Sequence, residues 1–191
     1  MLAAIQALQS SKAFIATYTG KQFFLLKPRL EDIDIIDIAH ALSLQCRWTG
    51  HVKYHYSVAQ HSVYCSLIGP EEEAFERLMH DGSEAYMGDM NRPLKHYTDA
   101  GPPYRHQEAV IQSAICERFG LSTQEPASVH LADNAMLYAE KEQLLGYTFE
   151  EAENWERYEG YPLPIITRWS PEQAETMFLR LFNEFYKRRV N

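Results

Sequence analysis

The chain has 191 residues, 46% of them apolar and 23% charged, which is the make-up of one ordinary globular domain over 1–191 and excludes a disordered or collagenous chain. Its 26 acidic against 18 basic residues leave a formal charge of −8, so the overall field repels a polyanion and duplex nucleic acid is not an expected partner. A phosphorylated small molecule is not excluded, because a local basic pocket or a bound cation reverses the field where it matters.

Met1–Ala7 is apolar but lacks a basic n-region and is soon broken by Gln6, Gln9, Ser10 and Lys12, so it does not read as a signal peptide. No stretch reaches the roughly 18–20 apolar residues of a membrane span. Cys46, Cys65 and Cys116 form no C-x-x-C pair, which argues against a disulfide framework or a zinc knuckle. A soluble, cytoplasmic protein is expected. Phe14–Tyr18 and Lys21–Leu25 alternate apolar and polar residues around Thr19-Gly20, the pattern of a short hairpin.

Beyond the hairpin the spacing predicts helix almost throughout. Ile35, Ile38, Ala39, Leu42 and Cys46 recur at helical spacing behind Asp32 or Asp34 as N-cap. Arg47–Tyr56 reads as a loop, and Ser57-Val58-Ala59-Gln60 as a capping box opening a helix to about Ile68, closed by Gly69-Pro70. Another helix is expected from Glu71–Glu73 through Phe75, Leu78, Met79 and Tyr86 to Gly88. Gly88–Pro103, with its Gly, Asn and Pro residues, reads as a long functional loop. Helices over about Tyr104–Phe119 and Ala127–Leu145 follow, and a Tyr- and Glu-rich connection leads to a second capping box, Ser170-Pro171-Glu172-Gln173. The last helix is expected to bury Ala174, Met177, Phe178, Leu181 and Phe185. The fold class is all-α with a minor N-terminal β-hairpin.

Spacing singles out a constellation among the eight histidines. His61 lies on the stripe of Val58 and Cys65 and so points inward. His80 and Asp81 are adjacent on one helix, and Glu84 is four residues beyond His80 and three beyond Asp81, beside both. Asp133 interrupts the apolar stripe of Val129, Ala132, Met136 and Leu137, where an unpaired carboxylate is costly to bury. Imidazoles and carboxylates together suit a divalent ion with open positions for water and substrate. The alternative from geometry alone makes Asp133 a partner for a buried Arg and His61 an ordinary core residue.

Ala59-Gln60-His61-Ser62, His80-Asp81-Gly82-Ser83-Glu84, Gly88-Asp89, Pro93-Leu94-Lys95 and the distant Asp133 resemble the HD-domain metal-dependent phosphohydrolases, closest to bacterial 5'-deoxynucleotidases and phage-type dATP triphosphohydrolases. The ordered set runs from Arg47 to Asp133, nearly half the chain. The resemblance implies an HD-type helical bundle whose divalent ion (Co, Mn, Zn, Fe, Ni or Mg) is held by His61, His80, Asp81 and Asp133. Glu84 falls on the family's catalytic acid/base. Arg47 and Trp48 look like the pair that contacts the phosphate and packs on the sugar, although Trp48 is equally well an ordinary core or interface aromatic. Asp89 and Lys95 fall on the substrate side. Gly50-His51 looks closer to the phage-type branch. The implied reaction is water attack at the α-phosphate of a deoxynucleoside triphosphate, monophosphate or both, in a homo-oligomer. Lys53, His55, Arg92, Arg105 and His106 read singly as solvated surface and together as a cationic wall beside the site. The alternatives are a 5'-deoxynucleotidase acting only on monophosphates, and a non-catalytic nucleotide- or metal-binding regulatory module. The mark of the latter, loss of a ligand or of Glu84, is not present.

Overall fold

Strands β1 (Phe14–Ala16) and β2 (Gln22–Phe24) form the expected antiparallel hairpin, with Ile15 opposite Phe23. Its tip is tied down by Asp37, which accepts from the backbone N–H and the hydroxyl of Thr19. The computed structural model describes residues 13–145 and 160–190. Met1–Ala7 and most of the Tyr- and Glu-rich connection lie outside them. The fold is mostly helical with this one small sheet among the described residues, as the periodicity predicts. Among the same residues no helix is long and apolar enough to cross a membrane.

Helix α1 (Ile35–Leu44) is capped by Asp34, which accepts from Ile36, and it ends two residues before Cys46. Cys46 instead pairs in an isolated bridge with Ser57. Helix α2 (Val58–Ser66) is buried on every side, all but Tyr64, although four of its buried residues are polar. Each of these finds a partner, as burial requires. Ser62 and Ser66 bond back to Val58 and Val63, Gln60 donates to the Thr167 carbonyl, and His61 turns to Glu140. The capping box at Ser57 is therefore half made: Ser57 accepts from the Gln60 N–H, but the Gln60 side chain is spent on Thr167.

The single helix expected from Glu71 to Gly88 is broken in two. After a 3₁₀ turn, α3 (Ala74–Met79) stops, a tight turn runs through His80–Ser83, and α4 (Glu84–Met87) resumes. Gln112 holds the break open by accepting from the Ser83 N–H while donating to the Met79 carbonyl. The Gly88–Pro103 segment is not all loop. It contains α5 (Arg92–Tyr97), capped by Asn91 with Pro93 in its first turn, and α6 (Gly101–Phe119) begins earlier than expected.

Helices α7 (Ala127–Leu144) and α8 (Pro171–Val190) complete the bundle. The second capping box is complete, Ser170 and Gln173 bonding reciprocally. Phe182, absent from the expected core, is buried with Ala174 and Phe178, whereas Met177, Leu181 and Phe185 are half-buried at its edge. The main core joins α1, α2, α3, α6 and α8. A second cluster packs α2 against α7 through Cys65, Ala132, Ala135, Met136 and Ala139. The candidate site lies on that α2–α7 seam, beside the α3–α4 break.

Candidate functional site

The inward face of α2 presents His61, fully buried, with its two ring nitrogens facing different partners. Nδ1 donates to Glu140 Oε1 on α7 at 2.6 Å. Nε2 faces Asp133 Oδ1 at 3.2 Å, Cys65 Sγ at 3.3 Å and Asp81 Oδ2 at 3.7 Å. His80, at the break after α3, is oriented in the same way. Its Nδ1 donates to the Arg77 carbonyl at 2.8 Å, which leaves Nε2 3.2 Å from Asp81 Oδ2. Both imidazoles thus have one nitrogen fixed from behind and turn the other toward the acidic cluster, which is how an orienting shell prepares histidines for a cation.

Arg77 makes this possible from the interior. Its buried guanidinium donates to the carbonyls of Cys65, Ser66 and Pro70 and to Ser128 Oγ, ending α2 and joining it to α7. Nothing in the spacing of a lone Arg in α3 points to that role.

The donor atoms of His61, Cys65, His80 and Asp133 all lie within 4.8 Å of one another, a group able to hold a metal ion. Asp81 borders it through the contacts just given. His80 Nε2 is buried with no aligned hydrogen-bond partner, and so is Glu84 Oε2. An orphaned imidazole nitrogen among carboxylates is the environment a divalent cation satisfies, so the residues present fit one. In sequence Cys65 stands out only as a stripe neighbour of His61. Its i+4 spacing is the signal for its place beside Nε2. Asp133, expected as a buried carboxylate on an apolar stripe, is 40% exposed and sits where α7 meets a cleft, so its partner is His61 and not an Arg.

Glu140 escapes the sequence reading, although it is seven residues beyond Asp133 and therefore two turns along the same face. It is wholly buried. Besides His61 it accepts from Arg47 Nε at 3.1 Å and Trp48 Nε1 at 2.9 Å, both on Oε2. Arg47 also reaches Asp81 Oδ2 through Nη1 at 3.5 Å. The loop that brings these two donors in is strained: Trp48 and Thr49 have φ of +57° and +53°, a conformation that side-chain-bearing residues rarely adopt and that clusters at functional sites.

The charges are strongly coupled. Burial and the Arg47 charge work against the His61 imidazolium, yet Cys65, Glu140 and Asp133 hold its pKa well above the ordinary value. Burial likewise opposes the His80 imidazolium, and Asp81 overcomes it, raising its pKa to about 9. Partial burial pushes Asp133 up, but the hydrogen bond and charge of His61 bring it down to about 2. Glu84 goes the other way: burial, then the Asp81 and Asp89 carboxylates, push it well above the usual range.

A cleft of about 390 Å³ opens from His80, Asp81 and Asp133 toward Gln112, Lys95 and Arg105. Lys95 pairs there with Glu108 at 2.7 Å and sits over the Tyr104 ring. Asp89 is half-buried, its backbone N–H donating to Gln45 Oε1, and burial raises its pKa against the pull of Arg47. Arg47 and Trp48 are not on the cleft wall. They lie behind the donor group, against Glu140. Of the other residues read as a cationic wall, Arg105 alone lines the cleft. Lys53 instead donates to the Gln143 carbonyl, and His55 faces the Ser43 carbonyl.

No family model matches the sequence. The chain is 39% identical over 180 residues to YfdR, an uncharacterized protein of Escherichia coli, covering 93% of this chain and 98% of that protein. It is 34% identical over 176 residues to the uncharacterized protein RCAP_rcc00048 of Rhodobacter capsulatus, covering 82% of this chain and 84% of that one.

Proposed function

The chain belongs to the family of YfdR, and we propose that its clustered donors form the divalent-metal centre of a phosphohydrolase acting on deoxynucleotides, of the HD-domain kind that the sequence resembles. One observation carries the reading. His61 on α2 and His80 in the turn after α3 both fix Nδ1 behind and aim Nε2 into one acidic cluster, His61 at Asp133 and Asp81 and His80 at Asp81, with Glu84 buried alongside. His61, His80, Asp81 and Asp133 would hold the ion. When bound, it supplies Lewis acidity at a phosphoryl oxygen and water of lowered pKa near neutral pH.

The chain's own groups account for the rest. Glu84, kept protonated by burial and by its acidic neighbours, hands its proton to the leaving 5'-oxygen as water attacks the α-phosphorus and the P–O bond breaks. The products are the nucleoside and phosphate, or tripolyphosphate from a triphosphate. Lys95 and Arg105 on the cleft wall neutralise non-bridging oxygens, while Arg47 behind the donors offsets the charge of Asp81 and Glu140. The preference for deoxy substrates rests on the resemblance, since Trp48 lies behind the donors against Glu140; a 2'-hydroxyl left without a partner costs about 1–3 kcal/mol, roughly a tenfold to hundredfold preference.

The monophosphate reading gains from one feature of the cleft: Lys53 is turned away and Lys95 is already paired with Glu108, so little free positive charge is left for a triphosphate tail. The experiment is kcat/KM for dATP, ATP and dAMP with several divalent ions and the phosphate product identified. Turnover of dATP or dAMP well above ATP is expected. Equal use of ATP and dATP removes the deoxy preference that the resemblance implies, and no turnover of any nucleotide overturns the hydrolase in favour of a regulatory nucleotide- or metal-binding module.

A further inference from the structure

Cys65 stands among the donors and not merely behind them. It is 1% exposed, its sulfur lies 3.3 Å from His61 Nε2, and its donor atom is within 4.8 Å of those of His80 and Asp133. We propose that Cys65 is a thiolate ligand of the same centre, so that the site takes a thiophilic divalent ion such as Zn²⁺, Co²⁺ or Fe²⁺ in preference to Mg²⁺ or Mn²⁺. The proposal rests on the metal-centre reading above and adds to it the class of ion.

The hydrogen bonding supports a ligand over a packed thiol. Because His61 Nδ1 donates to Glu140, Nε2 is the nitrogen left for a ligand once a cation displaces the proton its acidic neighbours favour, and it faces Cys65 Sγ, Asp133 Oδ1 and Asp81 Oδ2 together. A thiol donating to Nε2 satisfies one of these contacts. It leaves the two carboxylates crowded around the same nitrogen and leaves the buried His80 Nε2, 3.2 Å from Asp81 Oδ2, without an aligned hydrogen bond. A cation satisfies all of them at once.

The spacings agree with a shared ion. Donors held about 2.0–2.3 Å from one centre in an open polyhedron lie roughly 3–4 Å apart. The contacts of 3.2, 3.3 and 3.7 Å around His61 Nε2 fall in that range. Sulfur is a soft donor that favours Zn²⁺, Co²⁺ and Fe²⁺, whereas Mg²⁺ and Mn²⁺ prefer oxygen. On binding, the S–H bond breaks as the sulfur–metal bond forms, and the proton leaves to solvent. The helix makes the placement rigid: His61 and Cys65 are one turn apart on α2, whose surroundings are packed on both sides.

Titrating the metal-free full chain with Co²⁺ under anaerobic conditions tests this by absorption, independent of turnover. A near-ultraviolet sulfur-to-cobalt charge-transfer band, saturating together with the visible d–d bands at one equivalent, is expected. Cys65→Ser should lose the ultraviolet band while keeping the visible ones. Cys46→Ser and Cys116→Ser should keep both, because those thiols stand outside the donor group. Saturable d–d bands without the sulfur band in the parent overturn the Cys65 assignment and leave the metal centre standing. Absence of any saturable cobalt binding overturns both. A band that survives in Cys65→Ser assigns the sulfur elsewhere, which also overturns the proposal.

Discussion

Replacing Glu140 by Gln keeps the side chain's shape and removes the buried charge on which three donors converge. The single oxygen left on the substituted side chain cannot serve His61 Nδ1, Arg47 Nε and Trp48 Nε1 together, and its amide N–H₂ must face at least one of them. Breaking a buried ion pair by removing one partner costs roughly 3–5 kcal/mol, and the lower end applies here, because Asp81 still lies 3.5 Å from Arg47 Nη1. The same change frees the His61 ring, and loss of an orienting carboxylate behind a metal-binding histidine lowers affinity by about 10–100-fold. Urea unfolding followed by circular dichroism reads the first effect, and competition with a chromogenic chelator for Zn²⁺ reads the second. Trp48→Phe separates the two, since it removes one neutral donor from Oε2, costs about 1 kcal/mol, and leaves His61 held. A Glu140→Gln protein that binds Zn²⁺ as tightly as the parent and unfolds at the same urea concentration would refute the role given to this residue.

Glu84→Gln should keep its metal and lose turnover by about 10²–10⁴, the range for a positioned acid; parent-like turnover removes it from the mechanism. The same variant reports on burial. Because the folded-state pKa of Glu84 lies above its ordinary 4.5, the native state holds a proton that the unfolded state has released, and parent stability falls as pH rises through that window. The metal-free variant should therefore match the parent near about pH 4 and exceed it near about pH 7; equal urea midpoints at both would contradict the shift. Thr49→Gly relieves a positive φ in the loop that carries Trp48, and is expected to raise stability by up to about 1 kcal/mol. A loss of stability in that variant would show that the backbone is not strained there.

Much of the fold is legible in the sequence because it depends on period and caps. The hairpin, an N-cap at Asp32 or Asp34, the Ser170 box and the inward aim of His61 all follow from local pattern, and the structure has each of them, with Asp34 as the cap. The break at His80–Ser83 is not legible, because its cause, the Gln112 amide, comes from another helix. That break is also what lets His80 and Asp81 approach one point despite being adjacent in sequence. Glu140 and Arg77 stay hidden for a related reason: a charged residue on a mostly apolar helix face signals a partner without saying which, and their partners lie far along the chain. Lys53 does not join a cationic wall, because closeness in sequence to the site does not say that its side chain turns toward the end of α7.

The most direct test of the central claim is metal stoichiometry, measured by equilibrium dialysis and elemental analysis on the parent and on His80→Ala, with circular dichroism to show that both are folded. The parent is predicted to retain one equivalent of a divalent ion that a chelator removes, and folded His80→Ala to lose it. No bound ion in the parent, or stoichiometric binding that survives in His80→Ala, would contradict the account.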